Sequence, residues 1–233
     1  MNDPFGEAIR DYFEKGKAPK IKVNSNYTEN EEIQPSYFFR TEKEMPRVEQ
    51  KALKLCKGKV LDVGAAAGCH SLILQKKGFN VTALEKSVLA SGILLKRGIQ
   101  RVINKDIYQF TEGTFDTVLL LMNGAGIGET LDGLYHLLQH LKILLDKKGQ
   151  ILIDSSDISY LFKEDDGSLW TDLANPRYYG EMIYNVSYKK SVDEFKWLFI
   201  DQEKMKEVAE KSGLKYALIE VGDHYDFLAR ITL

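Results

Sequence analysis

Residues 60–72 read VLDVGAAAGCHSL, and this stretch decides the fold. The apolar residues before the first glycine are typical of a strand that is covered on both faces. Gly64 and Gly68 then allow the backbone to turn sharply and to approach a ligand closely. The stretch therefore predicts a strand, a glycine-bearing turn and the start of a helix. Asp62 inside the strand favours a cationic amino-acid ligand over a pyrophosphate, which binds to uncharged backbone donors.

At these residues the sequence resembles the class I S-adenosylmethionine-dependent methyltransferases. The first signature of that family is an acid, any residue, a glycine, and then small residues that end in glycine, and here residues 62–68 read DVGAAAG. Ala66 stands where many members carry glycine, so we expect a slightly stiffer loop. The resemblance implies a doubly wound α/β fold, with a mostly parallel seven-stranded sheet and an antiparallel last strand. It also implies S-adenosylmethionine as the cofactor, bound by Asp62, Gly64, Ala65 and Gly68.

Glycines between a strand and a helix are often present only because they allow close packing. Evidence for a cofactor site must therefore also come from the ends of the following strands. Residues 79–84 (FNVTAL) predict a short apolar strand that ends at Glu85. This acid lies about 20 residues after the glycines, where such folds place an acid on a ribose. We therefore assign Glu85 and the adjacent Lys86 to the cofactor site. Alternatively, Glu85 caps the helix that Ser87 opens or is a solvated acid.

A third acid follows the next predicted strand. Residues 101–106 (RVINKD) predict a short strand that ends in Asp106. By resemblance this is the position that accepts a hydrogen bond from the adenine amino group, and Ile107 would lie against the ring. Taken singly, Asp106 is an ordinary surface acid. As the third acid in order at a strand end, it is predicted to be a site residue.

The turn after the fourth predicted strand is polar and rich in glycine. Residues 115–122 (FDTVLLLM) precede Asn123, which opens the sequence NGAG. Ligands of open α/β sheets bind outside the carboxyl ends of the strands, so we expect Asn123 near the sulfonium and its methyl group. Alternatively, Asn123 only holds the turn. Methyltransferases that modify nucleobase amines often carry Asn/Asp-Pro-Pro-aromatic here, and NGAG argues against that subclass.

Residues 1–57 precede the glycine-bearing unit, and we expect them to form an amino-terminal cover with a helix over 46–55. In similar methyltransferases such segments often fold over the cofactor. The resemblance thus makes Tyr37 and Arg40 candidates to contact its methionine part, Arg40 through a carboxylate pair. The alternatives are a surface salt bridge for Arg40 and a core role for Tyr37. Residues 58–233 would then form the cofactor-binding domain.

Strands alternate with helices through the middle of the chain, which predicts a parallel sheet. The predicted strands lie near residues 59–63, 80–85, 101–104, 115–122 and 149–154, and a leucine stripe predicts a helix over 129–145. Near the carboxyl end the pattern predicts a helix over 201–212 and strands over 214–221 and 225–233.

Residues 155–200 interrupt this alternation as an aromatic insertion. Two stretches, GEMIYNVSYKK and DEFKWLFI, alternate well enough to predict a hairpin. The insertion could cover the cofactor cleft, form a satellite hydrophobic cluster, or make a dimer surface. Its aromatic residues are Tyr160, Phe162, Trp170, Tyr178, Tyr179, Tyr184, Tyr188, Phe195, Trp197 and Phe199.

Composition limits the classes of protein that fit. With 233 residues, 44% of them hydrophobic, the chain can bury one sizeable core. A net charge of −2 gives no sign of a general nucleic-acid binder. The charged first residues and the short apolar runs predict neither a signal peptide nor a membrane span. We therefore expect a cytoplasmic protein.

The cysteines and histidines give no sign of a disulfide or a metal site. Cys56 and Cys69 have no pairing or metal spacing, which is typical of reduced thiols. His136 and His140 lie four residues apart, but no third ligand is near in sequence. We expect exposed helix histidines and no metal.

The resemblance implies direct displacement of the sulfonium methyl group by a nucleophile on a small molecule. A methyltransferase acting on protein or RNA and a non-catalytic S-adenosylmethionine-binding module are the alternatives. A dehydrogenase fits less well, because Asp62 is an acid and Ala66 replaces the middle glycine of the dinucleotide fingerprint. If the acceptor needs a general base, His70, Tyr184 and His224 are candidates. The oligomeric state cannot be read from the sequence.

Overall fold

The computed structural model describes residues 2–162 and 177–233. Trp170 of the aromatic insertion lies outside these residues. The helices are α1 (Pro4–Lys15), α2 (Arg47–Leu55), α3 (Cys69–Lys76), α4 (Val88–Lys96), α5 (Leu131–Leu144) and α6 (Gln202–Lys211). The strands are β1 (Ile21–Ser25), β2 (Glu31–Ile33), β3 (Lys59–Val63), β4 (Asn80–Leu84), β5 (Val102–Ile103), β6 (Phe115–Leu120), β7 (Leu145–Ser156), β8 (Glu181–Tyr188), β9 (Ser191–Leu198), β10 (Lys215–Val221) and β11 (Asp226–Thr232).

The main sheet has seven strands in the order β10-β11-β7-β6-β3-β4-β5. β3 is parallel to β4 and to β6, and β6 is parallel to β7. β11 is antiparallel to both of its neighbours, β7 and β10. The predicted doubly wound sheet with an antiparallel last strand is therefore confirmed. The strand order reverses between β3 and β6, and the carboxyl ends of β3 to β7 lie at one edge, where ligands of such sheets bind.

The predicted elements of this sheet recur with small shifts of their ends. The largest shift is at β7, which begins at Leu145, directly after α5, whereas the sequence predicted a start at residue 149. The leucine stripe of α5 packs on the sheet, since Leu134, Leu138 and Leu141 have no exposed surface. This packing fixes the turn that links β6 to α5.

A second, four-stranded sheet has the order β2-β1-β8-β9. β8 and β9 form the predicted hairpin, paired from Glu181 opposite Leu198 to Tyr188 opposite Ser191. The sequence pattern does not predict β1 or β2. β1 nevertheless pairs with β8 along an antiparallel ladder that places Val23 opposite Val186. The amino-terminal region and the aromatic insertion are thus joined in one sheet, which we call the cover sheet.

An apolar cluster joins the cover sheet to the loops of the main sheet. Tyr184 and Phe195 pack in this cluster with Phe38 of the amino-terminal region. Ala66 and Met122, which lie in the loops after β3 and β6, pack against the same cluster. The aromatic insertion therefore lies over the carboxyl edge of the main sheet.

Among the helices of residues 2–162 and 177–233, none combines the length and apolar character that a membrane crossing needs. Within the same ranges, no three His, Cys, Asp or Glu side chains come together in a way that could hold a metal ion. His136 is exposed and lies 3.3 Å from Asp132, whereas His140 is half-buried and contacts the Phe110 carbonyl oxygen at 2.9 Å.

Candidate functional site at the carboxyl edge of the main sheet

The loop after β3 has the conformation that its glycines allow. Gly64 and Gly68 adopt φ angles of 70° and 81°, which favour glycine. Among the described residues, a Cβ atom at Gly64 would meet only Ile127 Cδ1, at 3.7 Å, so space remains above Gly64. Ala66 also has a positive φ, 49°, and holds a conformation that is strained for alanine. The loop therefore keeps a backbone conformation typical of glycine even at Ala66, where many family members carry glycine.

Asp62 lies in β3 and is only 2% exposed. Its Oδ2 accepts a hydrogen bond of 2.6 Å from the Ser71 hydroxyl of α3. This bond ties the strand to the helix that follows the glycine loop. The second carboxylate oxygen has no hydrogen-bond partner among the described residues.

Glu85 follows β4 and accepts hydrogen bonds from the loop after β3 and from the start of α4. Its Oε2 accepts a hydrogen bond of 2.8 Å from the Ala66 amide, and its Oε1 accepts one of 2.8 Å from the Ser87 amide. Burial raises the pKa of the Glu85 carboxyl above its ordinary value. The true helix cap is Ser87, whose hydroxyl accepts from the Ala90 amide. Lys86, beside Glu85, is exposed.

Asp106 and Ile107 follow β5. Asp106 is half-buried, and its Oδ1 accepts a hydrogen bond of 2.9 Å from the Tyr108 amide. Ile107 is 5% exposed and packs in the main core with Leu84. Both residues stand at the same sheet edge as Asp62 and Glu85, because their strands are parallel neighbours.

The turn after β6 depends on Asp154, an acid that is not among the site residues predicted from the sequence. Met122 and Asn123 both have positive φ angles, 67° and 58°. Asp154 of β7 stabilises them, since its carboxylate accepts from the Met122 amide at 3.1 Å and from the Gly124 amide at 2.8 Å. Asn123 Oδ1 accepts a 2.8 Å hydrogen bond from the Ser156 hydroxyl. Asn123 thus helps to hold the turn, as the alternative interpretation proposed.

Asp154 is buried, and desolvation raises the pKa of its carboxyl from 3.8 to about 7. The charge of Glu49 raises this pKa further, while the two backbone amides and His70 act against the shift. The position of Asp154 in the sequence could have indicated a site residue. Asp154 ends the apolar run ILI of a strand that neighbours β6, as Asp62, Glu85 and Asp106 end or interrupt theirs.

Arg40, Glu49 and His70 form a buried network beside this turn. Arg40 Nη2 donates to both Glu49 oxygens, at 3.0 and 3.1 Å, so this ion pair is buried and not at the surface. His70 Nε2 lies 2.6 Å from Glu49 Oε2. Burial acts to lower the pKa of His70, but Cys69 and the Glu49 carboxylate outweigh it and hold that pKa well above the usual 6.5. His70 is therefore engaged in an ion pair and is a poor candidate for a general base.

Arg40 also has unused donors. Its guanidinium carbon lies 3.5 Å from the centroid of the Tyr37 ring, and Tyr37 is exposed, not part of the core. Arg40 Nε and Nη1 are buried and have no hydrogen-bond partner in the described part of the chain. Both residues line a cavity of about 290 Å³. A buried guanidinium with two open donors is suited to an anionic ligand group.

A scan of protein-family models finds no match to this chain. A search of curated proteins also finds no match. Among solved structures, an S-adenosylmethionine-dependent methyltransferase from Bacteroides fragilis, in complex with S-adenosyl-L-homocysteine, is 39% identical, with a TM-score of 0.93 over 100% of this chain and 95% of that one.

More distant structures share the fold. SAM-bound CalS10, an amino pentose methyltransferase from Micromonospora echinaspora, is 18% identical, with a TM-score of 0.55 over 79% of this chain and 87% of that one. The sugar N-methyltransferase KedS8 from Streptoalloteichus is 16% identical, with a TM-score of 0.56 over 84% of this chain and 87% of that one. At this identity the likeness concerns the fold alone.

A Rossmann-like sheet with acids and a glycine turn at its carboxyl edge, together with the full-length similarity to the Bacteroides fragilis enzyme, defines the class of this protein. The chain belongs to the S-adenosylmethionine-dependent methyltransferases. It is an enzyme, and S-adenosylmethionine is its cofactor.

Proposed function

We propose that this enzyme methylates a nucleophilic atom of a small molecule and that the loops at the carboxyl edge of the main sheet hold its cofactor. The observation that carries the placement of the cofactor is the pair of open donors on Arg40. Nε and Nη1 are buried without a partner in the described ranges, and such donors are costly unless a ligand completes them. The carboxylate of the methionine part of the cofactor would do so.

The acids of the neighbouring strands would hold the rest of the cofactor. Glu85 uses one lone pair of each oxygen for a backbone amide, and a carboxylate has about four such sites, so ribose hydroxyls could still bind. The open carboxylate oxygen of Asp62 and the open space above Gly64 would receive the amino group and backbone of the methionine part. The remaining proposed cofactor contacts are Ala65, Gly68, Lys86, Asp106, Ile107, Asn123 and Tyr37.

The position of the cover sheet supports the proposal that the acceptor is a small molecule. It places aromatic rings such as Tyr184 and Phe195 in the apolar cluster that includes Ala66 and Met122 of the two loops. Closed aromatic surroundings exclude water and leave room for a small molecule more readily than for a polymer. We propose that residues 1–57 and the insertion act together as the cover of the domain formed by residues 58–233.

When bound, S-adenosylmethionine supplies a methyl group on a positively charged sulfur, which a nucleophile can displace directly. The protein's contribution is positioning. Glu85 and Asp154 fix the two loops through backbone amides, and the cover sheet orients the acceptor and excludes water. No residue of this chain needs to form a bond with the methyl group.

The net charge of −2 favours a small molecule over nucleic acid as the acceptor.

The cysteines support a proposal about the compartment of the enzyme. Cys56 and Cys69 are free and buried, and burial raises the pKa of Cys56 to about 12. Two such thiols support the proposal of a reducing compartment such as the cytoplasm.

Calorimetric titration tests the placement of the cofactor. We expect saturable binding of S-adenosylmethionine and S-adenosylhomocysteine, weaker binding in Asp62→Ala and Glu85→Ala, and no binding of NAD. Glu112→Ala is a control, because this acid pairs with Lys105 at an exposed site. Full affinity in both site variants would contradict the proposed placement.

A labelled cofactor tests the acceptor class. The protein is incubated with S-adenosylmethionine carrying a labelled methyl group and with fractionated cell extract. Label in the small-molecule fraction supports the proposal. Label only in protein or RNA would assign a polymer acceptor, and cofactor binding without any labelled product would point to a non-catalytic module.

A further inference from the structure

A second cavity, of about 210 Å³, lies where the end of β7 meets the cover sheet. We infer that this cavity is the acceptor site and that it takes a small molecule with a cationic amino group attached to a ring or similar apolar body. The inference rests on the proposed function, since it names the substrate class of that reaction. The residues that carry it are Glu31, Ser156, Tyr160, Tyr184 and Phe199, all of which line the cavity.

The cavity adjoins the turn after β6, which is proposed to help hold the cofactor. Ser156 lines it and donates its hydroxyl hydrogen bond to Asn123 in the turn after β6. Tyr184 lines it as well and packs in the same apolar cluster as Ala66 and Met122. A molecule bound here is therefore one side chain away from Asn123, in the region where an acceptor must lie for direct transfer.

Glu31 gives the cavity its charge preference. It is the one carboxylate among the described lining residues, and its negative charge disfavours ionisation of the Tyr184 hydroxyl. Burial, together with this negative charge and Tyr160, raises the pKa of Tyr184 to about 12. Within residues 2–162 and 177–233, Glu31 has neither a salt bridge nor a side-chain hydrogen bond, whereas its neighbour Glu32 pairs with Lys20. An unpaired carboxylate beside aromatic walls attracts a cation.

The walls set the size and character of the ligand. Tyr160, Tyr184 and Phe199 present aromatic rings, which bind an apolar ring by stacking and an ammonium group through cation–π contacts. A cavity of about 210 Å³ holds a molecule of roughly one ring. The carboxylate would anchor the ammonium group and the rings would hold the body. A protonated amine has no free electron pair, so methyl transfer to its nitrogen would follow loss of one proton to solvent.

Matched pairs of probes test this inference. Benzylamine and cyclohexylamine are titrated into the full-length protein, with and without saturating S-adenosylhomocysteine, and are compared with benzyl alcohol and cyclohexanol. We expect the amines to bind about tenfold more tightly than the alcohols, and this preference to fall as salt rises. In Glu31→Gln the preference should disappear while the affinity for the alcohols stays the same.

Glu32→Gln is the matched control, because Glu32 is the next residue of β2 and pairs with Lys20. It should keep the preference for amines. Equal binding of amines and alcohols, no binding of either amine, or an unchanged preference in Glu31→Gln would overturn the inference. Failure of S-adenosylhomocysteine to bind would contradict the proposed cofactor site instead, and the titrations without it would still decide the preference for amines.

Discussion

His70 Nε2 lies 2.6 Å from Glu49 Oε2, and both side chains are almost completely buried. The two residues come from different regions of the chain, α3 and α2. Arg40 binds the same carboxylate, so one buried acid is shared by two cationic side chains. This shared carboxylate links the amino-terminal region to the helix that follows the glycine loop.

The first prediction concerns His70 and pH. Since its pKa in the folded protein is well above 6.5, protonation of His70 favours the folded state. The stabilisation is fully present below about pH 6.5 and is lost as pH rises through the raised pKa. His70→Gln should lower the free energy of unfolding by about 2 kcal/mol at pH 6 and by less at higher pH. Urea unfolding measures this, and the exposed His136→Gln should change little.

The second prediction concerns Asp154, whose carboxyl has a pKa raised from 3.8 to about 7 in the folded protein. Folding therefore favours its protonated form, and this contribution is present below about pH 3.8 and is lost as pH rises through about 7. Asp154→Asn should remove this part of the pH dependence of unfolding. Parallel curves for the two proteins would show that Asp154 does not titrate in this range.

The third prediction concerns Gly126, which lies against the indole of Trp197 in β9. A Cβ atom there would lie 1.9 Å from Trp197 Cε2. Gly126→Ala should lower the free energy of unfolding by about 1–3 kcal/mol through overpacking. In Gly92→Ala, in α4, the new Cβ atom meets nothing within 4 Å in the described part of the chain, and this variant should raise the free energy of unfolding by about 0.5–1 kcal/mol. Thermal unfolding of both variants measures the contrast.

The fourth prediction tests whether ligand binding needs the hydrogen-bond donors of Arg40 or only its positive charge. Lysine keeps the positive charge but lacks the donors that Arg40 leaves open at Nε and Nη1. Arg40→Lys should weaken S-adenosylhomocysteine binding by about tenfold in calorimetry. Arg47→Lys, at an exposed pair with Glu220, should have no effect. Equal affinity in both variants would mean that Arg40 does not contact the ligand.

The sequence predicted the main sheet because its signals are local. β3, β4 and β7 contain apolar runs that are followed by a glycine or an acid, and Asp62, Glu85 and Asp106 stand at the same edge once parallel pairing is assumed. That β8 and β9 form a hairpin was also predictable, because the pattern and the turn lie together in sequence.

The cover sheet and the buried network were harder to predict. β1 alternates apolar and polar residues, IKVNS, but five residues do not reveal that the partner strand is β8. The pairing of Glu49 with His70 depends on how α2 packs against α3, which no local pattern encodes. The role of Asp154 likewise depends on which strand becomes the neighbour of β6.

The pairing of β1 with β8 also orders events during synthesis of the chain. β1 leaves the ribosome early, but its partner residues 184–187 follow only after the parallel part of the main sheet has been made. Until then β1 can pair with β2, a strand of three residues, but the complete cover sheet cannot form. We expect nascent chains that end before β8 to fold the parallel part of the main sheet while β1 and β2 stay accessible to proteases.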